Sequence, residues 1–190
     1  YDIKEEFCTR ALNGIIKSLS KAEEKGSVPA GTKDAVAAKI KPTGNFNDLA
    51  EVDLVVECVF EKMDIKKDVY TKLDALLKPE VIIATNTSSL SLTEIAAITK
   101  RADKVVGMHF FNPANVMKLI EIIPAIQTSQ ETIDTVTELA KAIGKKPIQV
   151  KEGPGFVVNR ILVPGINEAA YILYEGLASA ADIDTAMKLG

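Results

Sequence analysis

The chain has 190 residues, 47% hydrophobic and 26% charged, with a formal net charge of −3, a balance that supports a globular core and excludes the disordered and fibrous classes. Lys and Arg are interleaved with Asp and Glu, so there is no basic face to neutralise a phosphate backbone, and nucleic acid is not an expected partner. No segment reaches the roughly 18 to 20 consecutive apolar residues of a membrane span, and the opening YDIKEEF lacks the apolar stretch and cleavage site of a secretory signal, so no membrane partner is expected.

Ile3, Phe7, Ala11, Ile15, Leu19 and Ala22 recur every three or four positions and predict an amphipathic helix over residues 3 to 25, closed at Lys25-Gly26. Asp2 and Glu5 have the spacing of a capping box at its start. A weaker helix is expected through TKDAVAAKI. Four apolar runs follow: DLVVECVF (53–60), VIIAT (81–85), KVVGMHFF (104–111) and KLIEII (118–123), the first three separated by helical stretches. Nearly continuous apolar runs alternating with helices point to parallel strands covered on both faces, a doubly wound α/β sheet. ETIDTVTELAKAIG predicts a helix ending at Gly144, and PIQV a further strand. At GPGF (153–156) the texture changes, and VVNRILVPGINEAAYILYEG reads as a long apolar helix interrupted at Pro164. A domain boundary is therefore expected near residues 151–156. Cys8 and Cys58, far apart in sequence, suggest reduced thiols and a cytoplasmic setting rather than a disulfide framework.

In open α/β sheets ligands bind beyond the carboxyl ends of the strands. That rule draws attention to Glu57 and Glu61, to Asn86, Thr87, Ser88 and Ser89, and to the stretch from His109 to Asn112. The hydroxyl and amide side chains of NTSSLSLTEIA can cap the helix that follows or hold a ligand, and spacing alone leaves both open. His109, the only histidine, is either a buried structural group or an acid/base. Glu121 bears on the choice, because a period of two puts it on the face of Leu119 and Ile123, where a carboxylate is costly unless paired. If neighbouring strands bring the two together, Glu121 would orient the imidazole and stabilise its protonated form. A single histidine and the lack of a cysteine cluster argue against a metal site. A serine hydrolase built on Ser88, His109 and Glu121 is disfavoured because no Gly-x-Ser-x-Gly elbow is present. By spacing, Glu61 and Lys66 read as an ordinary exposed pair at a helix start.

NTSSLSLTEIA, GMHFFNPANVMKLIEII, TSQET and GPGFVVNRILVPGINEA together resemble the L-3-hydroxyacyl-CoA dehydrogenase family, in particular its short-chain bacterial branch acting on 3-hydroxybutyryl-CoA. The likeness runs over essentially the whole chain. It implies hydride transfer between NAD and carbon 3 of an acyl-CoA thioester, the acetoacetyl-CoA/3-hydroxybutyryl-CoA pair, with His109 as acid/base and Glu121 holding its ring. Ser88 and Asn159 would hydrogen-bond the reacting oxygen, so that Ser88 is a ligand and its neighbours supply the cap. Asp2 would bind the adenosine ribose hydroxyls and repel a 2′-phosphate, which favours NAD over NADP, although spacing alone leaves it equally a helix cap. The resemblance puts Glu61, Lys66, Ser88 and Asn112 near the nicotinamide and its ribose, and Ser18 and Lys25 near the CoA moiety.

By the same resemblance, residues 1–151 form an NAD-binding Rossmann-like domain, 152–157 a linker, and 158–190 the start of an all-α domain through which two subunits pair as a homodimer. The family's first strand and its Gly-x-Gly-x-x-Gly turn would precede Tyr1, so the chain is expected to be part of a longer sequence. Two rival expectations are a non-catalytic, crystallin-like or truncated relative, and a hydroxyacid dehydrogenase acting on a substrate without CoA.

Overall fold

The structure, a computed structural model, describes residues 1–190. The chain divides into two compact units, one made of Tyr1–Val52 with Leu76–Lys78 and the other of Asp53–Ala75 with Pro79–Gly190. No helix is long and apolar enough to cross a membrane, and Cys8 and Cys58 are free thiols.

In the first unit, α1 (Glu5–Glu24) packs against α2 (Thr32–Ala37), and a 3-10 turn covers Phe46–Leu49. Glu5 and Glu6 in the first turn of α1 and Lys21 in its last complement the helix dipole. Gly26 ends the helix in the left-handed region at φ 66°, its N–H donating to the Glu23 carbonyl and that of Ser27 to Ala22. Two expectations need correction here. The capping box does not form: Lys4 is the N-cap without a side-chain cap, and Asp2, two residues earlier, instead donates its backbone N–H to the Thr43 carbonyl at 3.3 Å. The half-buried stripe is also rotated by about one residue, running through Cys8, Leu12, Ile16 and Leu19 while Ala11 and Ile15 are exposed.

The second unit is built on a five-stranded sheet with order β1 (Leu54–Glu57), β2 (Ile82–Thr85), β3 (Val105–Phe110), β4 (Leu119–Pro124), β5 (Lys146–Gln149). Its helices are α3 (Met63–Leu76), α4 (Leu92–Ala96), α5 (Gln130–Ala142), α6 (Val158–Tyr174) and α7 (Ala180–Leu189). β1, β2 and β3 run parallel, β4 is antiparallel to β3, and β5 is parallel to β4. The expectation of parallel strands thus fails at one place, for a plain reason. Residues 111–118, which join β3 to β4, are fewer than the dozen or so that a parallel crossover needs.

Strand alternation sorts the buried side chains onto two faces. Ile82, Ala84, Val106, Met108, Ile120 and Ile122 pack with Ile133, Val136 and Ala140 of α5. Ile83, Val105, Gly107, His109, Glu121 and Ile123 point the other way, toward the side of α4, whose Leu92 and Ile95 are fully buried. Gly107 permits that approach: a Cβ there would lie 2.5 Å from Leu92 Cδ2 and 3.1 Å from both Ile123 Cβ and Ile123 O.

The short α4 is held from a distance. Ser91 is its N-cap, accepting from the Glu94 N–H. Glu152, which follows β5, takes the Ser91 hydroxyl at 2.6 Å together with the Thr93 hydroxyl and N–H. Burial pushes the Glu152 carboxyl up, but these donors outweigh it and hold it below the usual carboxylate range. The helix α6 runs straight through Pro164, where a break was expected, so the Arg160 carbonyl, which would pair with residue 164, gets no N–H from it. Neither α6 nor α7 has a buried residue.

Gly107→Ala is expected to destabilise the protein by about 1–3 kcal/mol through overpacking against Leu92 and Ile123, seen as a lower urea midpoint with an unchanged slope. The depressed Glu152 carboxyl contributes stability that is present above the ordinary glutamate range and lost as pH falls through it. Between about pH 5 and 3 the melting temperature should therefore fall more steeply in the parent than in Glu152→Gln, which cannot titrate.

Candidate active site

The antiparallel turn from β3 to β4 puts His109 and Glu121 directly opposite each other in register. On a shared sheet face such cross-strand partners have Cβ atoms about 5 Å apart, and here the side chains meet: His109 Nδ1 lies 2.8 Å from Glu121 Oε2. Glu121 is 0% exposed and His109 is buried. A carboxylate can only accept, so Nδ1 carries the hydrogen and Nε2 is left facing outward. Ser88 Oγ stands 3.1 Å from that nitrogen. The neutral ring accepts from Ser88 and the charged ring donates to it, so Ser88, His109 and Glu121 form one hydrogen-bonded line.

The second oxygen of Glu121 is also matched. Oε1 accepts the backbone N–H groups of Val157 and Val158, at 3.1 and 3.2 Å, where α6 begins. Gly155 at φ 73° and Phe156 at φ 51° turn the chain to deliver them; a non-glycine residue in that left-handed region is held there by its surroundings. Phe156 is buried with its ring edge-on to the imidazole at 5.4 Å, and Phe111 lies at 4.8 Å. Asn159, in the first turn of α6, borders an open cavity of about 510 Å3 together with Ser88, Ser89, Pro154, Gly155, Arg160, Val163 and Pro164. Among the four residues expected to carry chemistry, three are therefore joined in a line through His109, and the fourth, Asn159, borders the same cavity as Ser88. Arg160 and Val163 were not among the expected residues; their positions on α6, one and four residues past Asn159, are the signal that could have found them.

Residues 86–89 do not cap α4, a task that falls to Ser91, so the expectation that the neighbours of Ser88 supply the cap is corrected. Asn86 ties strand ends together, its N–H donating to the Glu57 carbonyl and its Oδ1 accepting the Phe110 N–H at 2.8 Å. Thr87, Ser88 and Ser89 converge on Glu61. Its Oε1 accepts the Thr87 hydroxyl, the Ser88 N–H at 2.9 Å, the Ser89 N–H at 3.1 Å and the Ser89 hydroxyl at 3.2 Å. Burial pushes the Glu61 carboxyl up, but these donors and the Lys66 charge hold it below the usual range. This also decides against hydrolase chemistry, because amides beside Ser88 that could hold an oxyanion already hold a carboxylate.

Lys66 is not an exposed helix-start residue. It shares the buried stripe of α3 with Tyr70 and Leu73, and its Nζ meets both Glu57 oxygens at 2.8 Å and Glu61 Oε2 at 3.6 Å. Sequence reasoning noted Glu57 without finding this partner; the clue was that positions 66, 70 and 73 follow the helical period of a buried face. Burial first, and then the Glu57 charge, push the Tyr70 hydroxyl well above the usual phenol range. Asn112 is exposed two residues past β3. Glu61, Ser88 and Asn112 thus stand just past the carboxyl ends of β1, β2 and β3, where an α/β sheet receives a nucleotide, and their donors and acceptors suit ribose and carboxamide groups. Asp2, Ser18 and Lys25 belong to the first unit, Ser18 and Lys25 exposed on or just beyond α1 and Asp2 half-buried before it.

Residues 1–153 match the family model described as 3-hydroxyacyl-CoA dehydrogenase, NAD binding domain, and residues 155–190 match the C-terminal domain of the same family. The 3-hydroxybutyryl-CoA dehydrogenase of Clostridioides difficile is 55% identical over 95% of the chain, and the human mitochondrial hydroxyacyl-coenzyme A dehydrogenase 41% identical over all of it. The chain spans 64% and 62% of their respective lengths. The crystal structure of (S)-3-hydroxybutyryl-CoA dehydrogenase from Ralstonia eutropha superposes on the whole chain with a TM-score of 0.94 at 45% identity, the chain covering 67% of it. Two family models that between them take in nearly every residue, with the sheet and paired His–Glu described above, place the chain in one family: it belongs to the 3-hydroxyacyl-CoA dehydrogenases.

Proposed function

We propose that the protein is an NAD-dependent dehydrogenase that interconverts short-chain 3-hydroxyacyl-CoA and 3-ketoacyl-CoA, the 3-hydroxybutyryl/acetoacetyl pair above all. The observation that carries this reading is the line from Ser88 Oγ through His109 to a fully buried Glu121, opening on a cavity bordered by Ser88 and Asn159. In the oxidation, His109 Nε2 takes the proton of the 3-hydroxyl group, and in the reduction it returns one to the 3-keto oxygen. Glu121 keeps the proton on Nδ1 and compensates the imidazolium, while the Val157 and Val158 amides keep the carboxylate from turning. Ser88 and Asn159 hold the reacting oxygen. Phe111 and Phe156 flank the imidazole and keep water from its faces, which strengthens each charge interaction.

Bound NAD supplies the ring that accepts or delivers the hydride. Glu61, Ser88 and Asn112 would hold its nicotinamide half and Asp2 the adenosine ribose, which favours NAD over NADP; Lys66 reaches that half only through Glu61. Ser18 and Lys25 would contact the CoA moiety. The domain division proposed is residues 1–151, a linker at 152–157, and a helical region from 158. A homodimer through that region is supported by the exposed Ile161, Leu162, Ile166 and Tyr174 of α6, and the cytoplasm is the proposed location.

In the intact protein, NADH oxidation with acetoacetyl-CoA is the expected activity, and His109→Gln should lower kcat by about 10²- to 10⁴-fold with an unchanged circular dichroism spectrum. An equally active variant refutes the acid/base role. Free acetoacetate should be a far poorer substrate in kcat as well as KM, because binding of the remote CoA part contributes to the transition state; equal turnover would exclude a CoA-specific enzyme.

A further inference from the structure

Beneath the crevice lies a second charged assembly that the proton transfer does not use. Glu57 ends β1 and Lys66 is on α3, and both side chains are 1% exposed. Burying such a pair is expensive, and an apolar pair of similar volume is often at least as stable, so the charges need a use beyond packing. Apart from the Val59 N–H, the polar contacts of this pair lead toward residues 85–89. Glu57 Oε1 takes the Val59 N–H at 2.6 Å, and Oε2 takes the Thr85 hydroxyl at 2.9 Å. The Thr85 hydroxyl oxygen in turn accepts the Thr87 N–H at 3.2 Å. The Lys66 ammonium, anchored on both Glu57 oxygens, presents its remaining charge to Glu61 Oε2, and Glu61 Oε1 gathers the donors of Thr87, Ser88 and Ser89. Two routes therefore lead from Glu57 to the turn that carries Ser88, one through Thr85 and one through Lys66 and Glu61.

We infer that Glu57 and Lys66 are positioning residues for the hydroxyl-binding side of the crevice: they fix Glu61, which clamps residues 87–89 and so keeps Ser88 Oγ within reach of His109 Nε2. The inference rests on the function proposed above. It gives Lys66 a role through Glu61 and Ser88 rather than as a direct ligand of the cofactor. Without the clamp the turn has no anion to gather its four N–H and hydroxyl donors, and Ser88 is free to leave the imidazole. A displacement of about 1 Å at a reacting group costs on the order of 10²-fold in rate.

A double-mutant cycle in the intact protein, with NADH and acetoacetyl-CoA, tests this. Glu61→Gln should lower kcat, measured at saturating NADH, by about 10-fold or more, whatever its contact with the nicotinamide half adds to KM for NADH. Combined with Ser88→Ala it should cause no further loss beyond Ser88→Ala alone, since no hydroxyl remains to be misplaced. Glu57→Gln and Lys66→Met should behave in the same way, coupled to Ser88, and Glu57→Asp, which keeps the carboxylate, should lose less than Glu57→Gln. If either buried variant fails to fold, the cycle on Glu61, whose side chain is 37% exposed, decides alone. Losses that multiply in the double variant, or a raised KM for NADH with kcat unchanged, overturn the inference and leave the His109 chemistry standing. Full turnover of Ser88→Ala also overturns it, since nothing would then need positioning. An active His109→Gln variant would refute the proposed reaction itself, a different outcome from any of these.

Discussion

A carboxylate without exposed surface needs donors at both oxygens, and the way Glu121 obtains them organises the second unit of the chain. One oxygen holds the imidazole of His109, on the strand next door; the other holds the first amides of α6, 36 and 37 residues further along. The same anion thereby orients the imidazole and fixes the start of the helix that carries Asn159. Each partner lowers the cost of burying the other two, because an unmatched polar group in that environment is what would be expensive. The left-handed Phe156 fits this picture, since its strained backbone delivers the amides while its ring covers the histidine.

Around that centre, the site is assembled from two kinds of geometry. Sheet pairing places His109 against Glu121 with no help from loops, because antiparallel register leaves them opposite on one face. Ser88 is different, for it stands on an irregular turn whose conformation no ladder dictates. Glu61 supplies what the ladder does not, gathering the turn's hydroxyls and amides onto one oxygen, with the buried Lys66 and Glu57 behind it. Gly107 contributes from the same strand as His109 by letting Leu92 close over the sheet, so that α4 covers the face on which the histidine lies.

Two departures from expectation share a cause. Asp2 and Glu5 have capping-box spacing, yet the helix starts at Glu5 and Asp2 is drawn to the Thr43 carbonyl instead. Ser88 and its neighbours have the composition of a cap, yet Ser91 performs it with Glu152, which is 61 residues from Ser91. In both places a short polar residue had a local capping role available in principle, and the actual helix start decided otherwise. Capping signals narrow the position of a helix start to a few residues, and hydrogen bonds from elsewhere in the chain select among them.

The sequence by itself determined the succession of strands and helices, the α/β class, and the alternation that puts Glu121 among core residues and demands a partner for it. Those features follow from periods of two and 3.6 residues, which are local properties of a chain. The long motifs around Ser88, His109 and Asn159 also carried the family likeness. Only the tertiary structure decided that β4 reverses direction, that Glu121 spends its second oxygen on α6, and that Lys66 turns inward to Glu57. Such matters depend on which groups arrive from dozens of residues away to satisfy a buried charge, and no local period encodes that arrival.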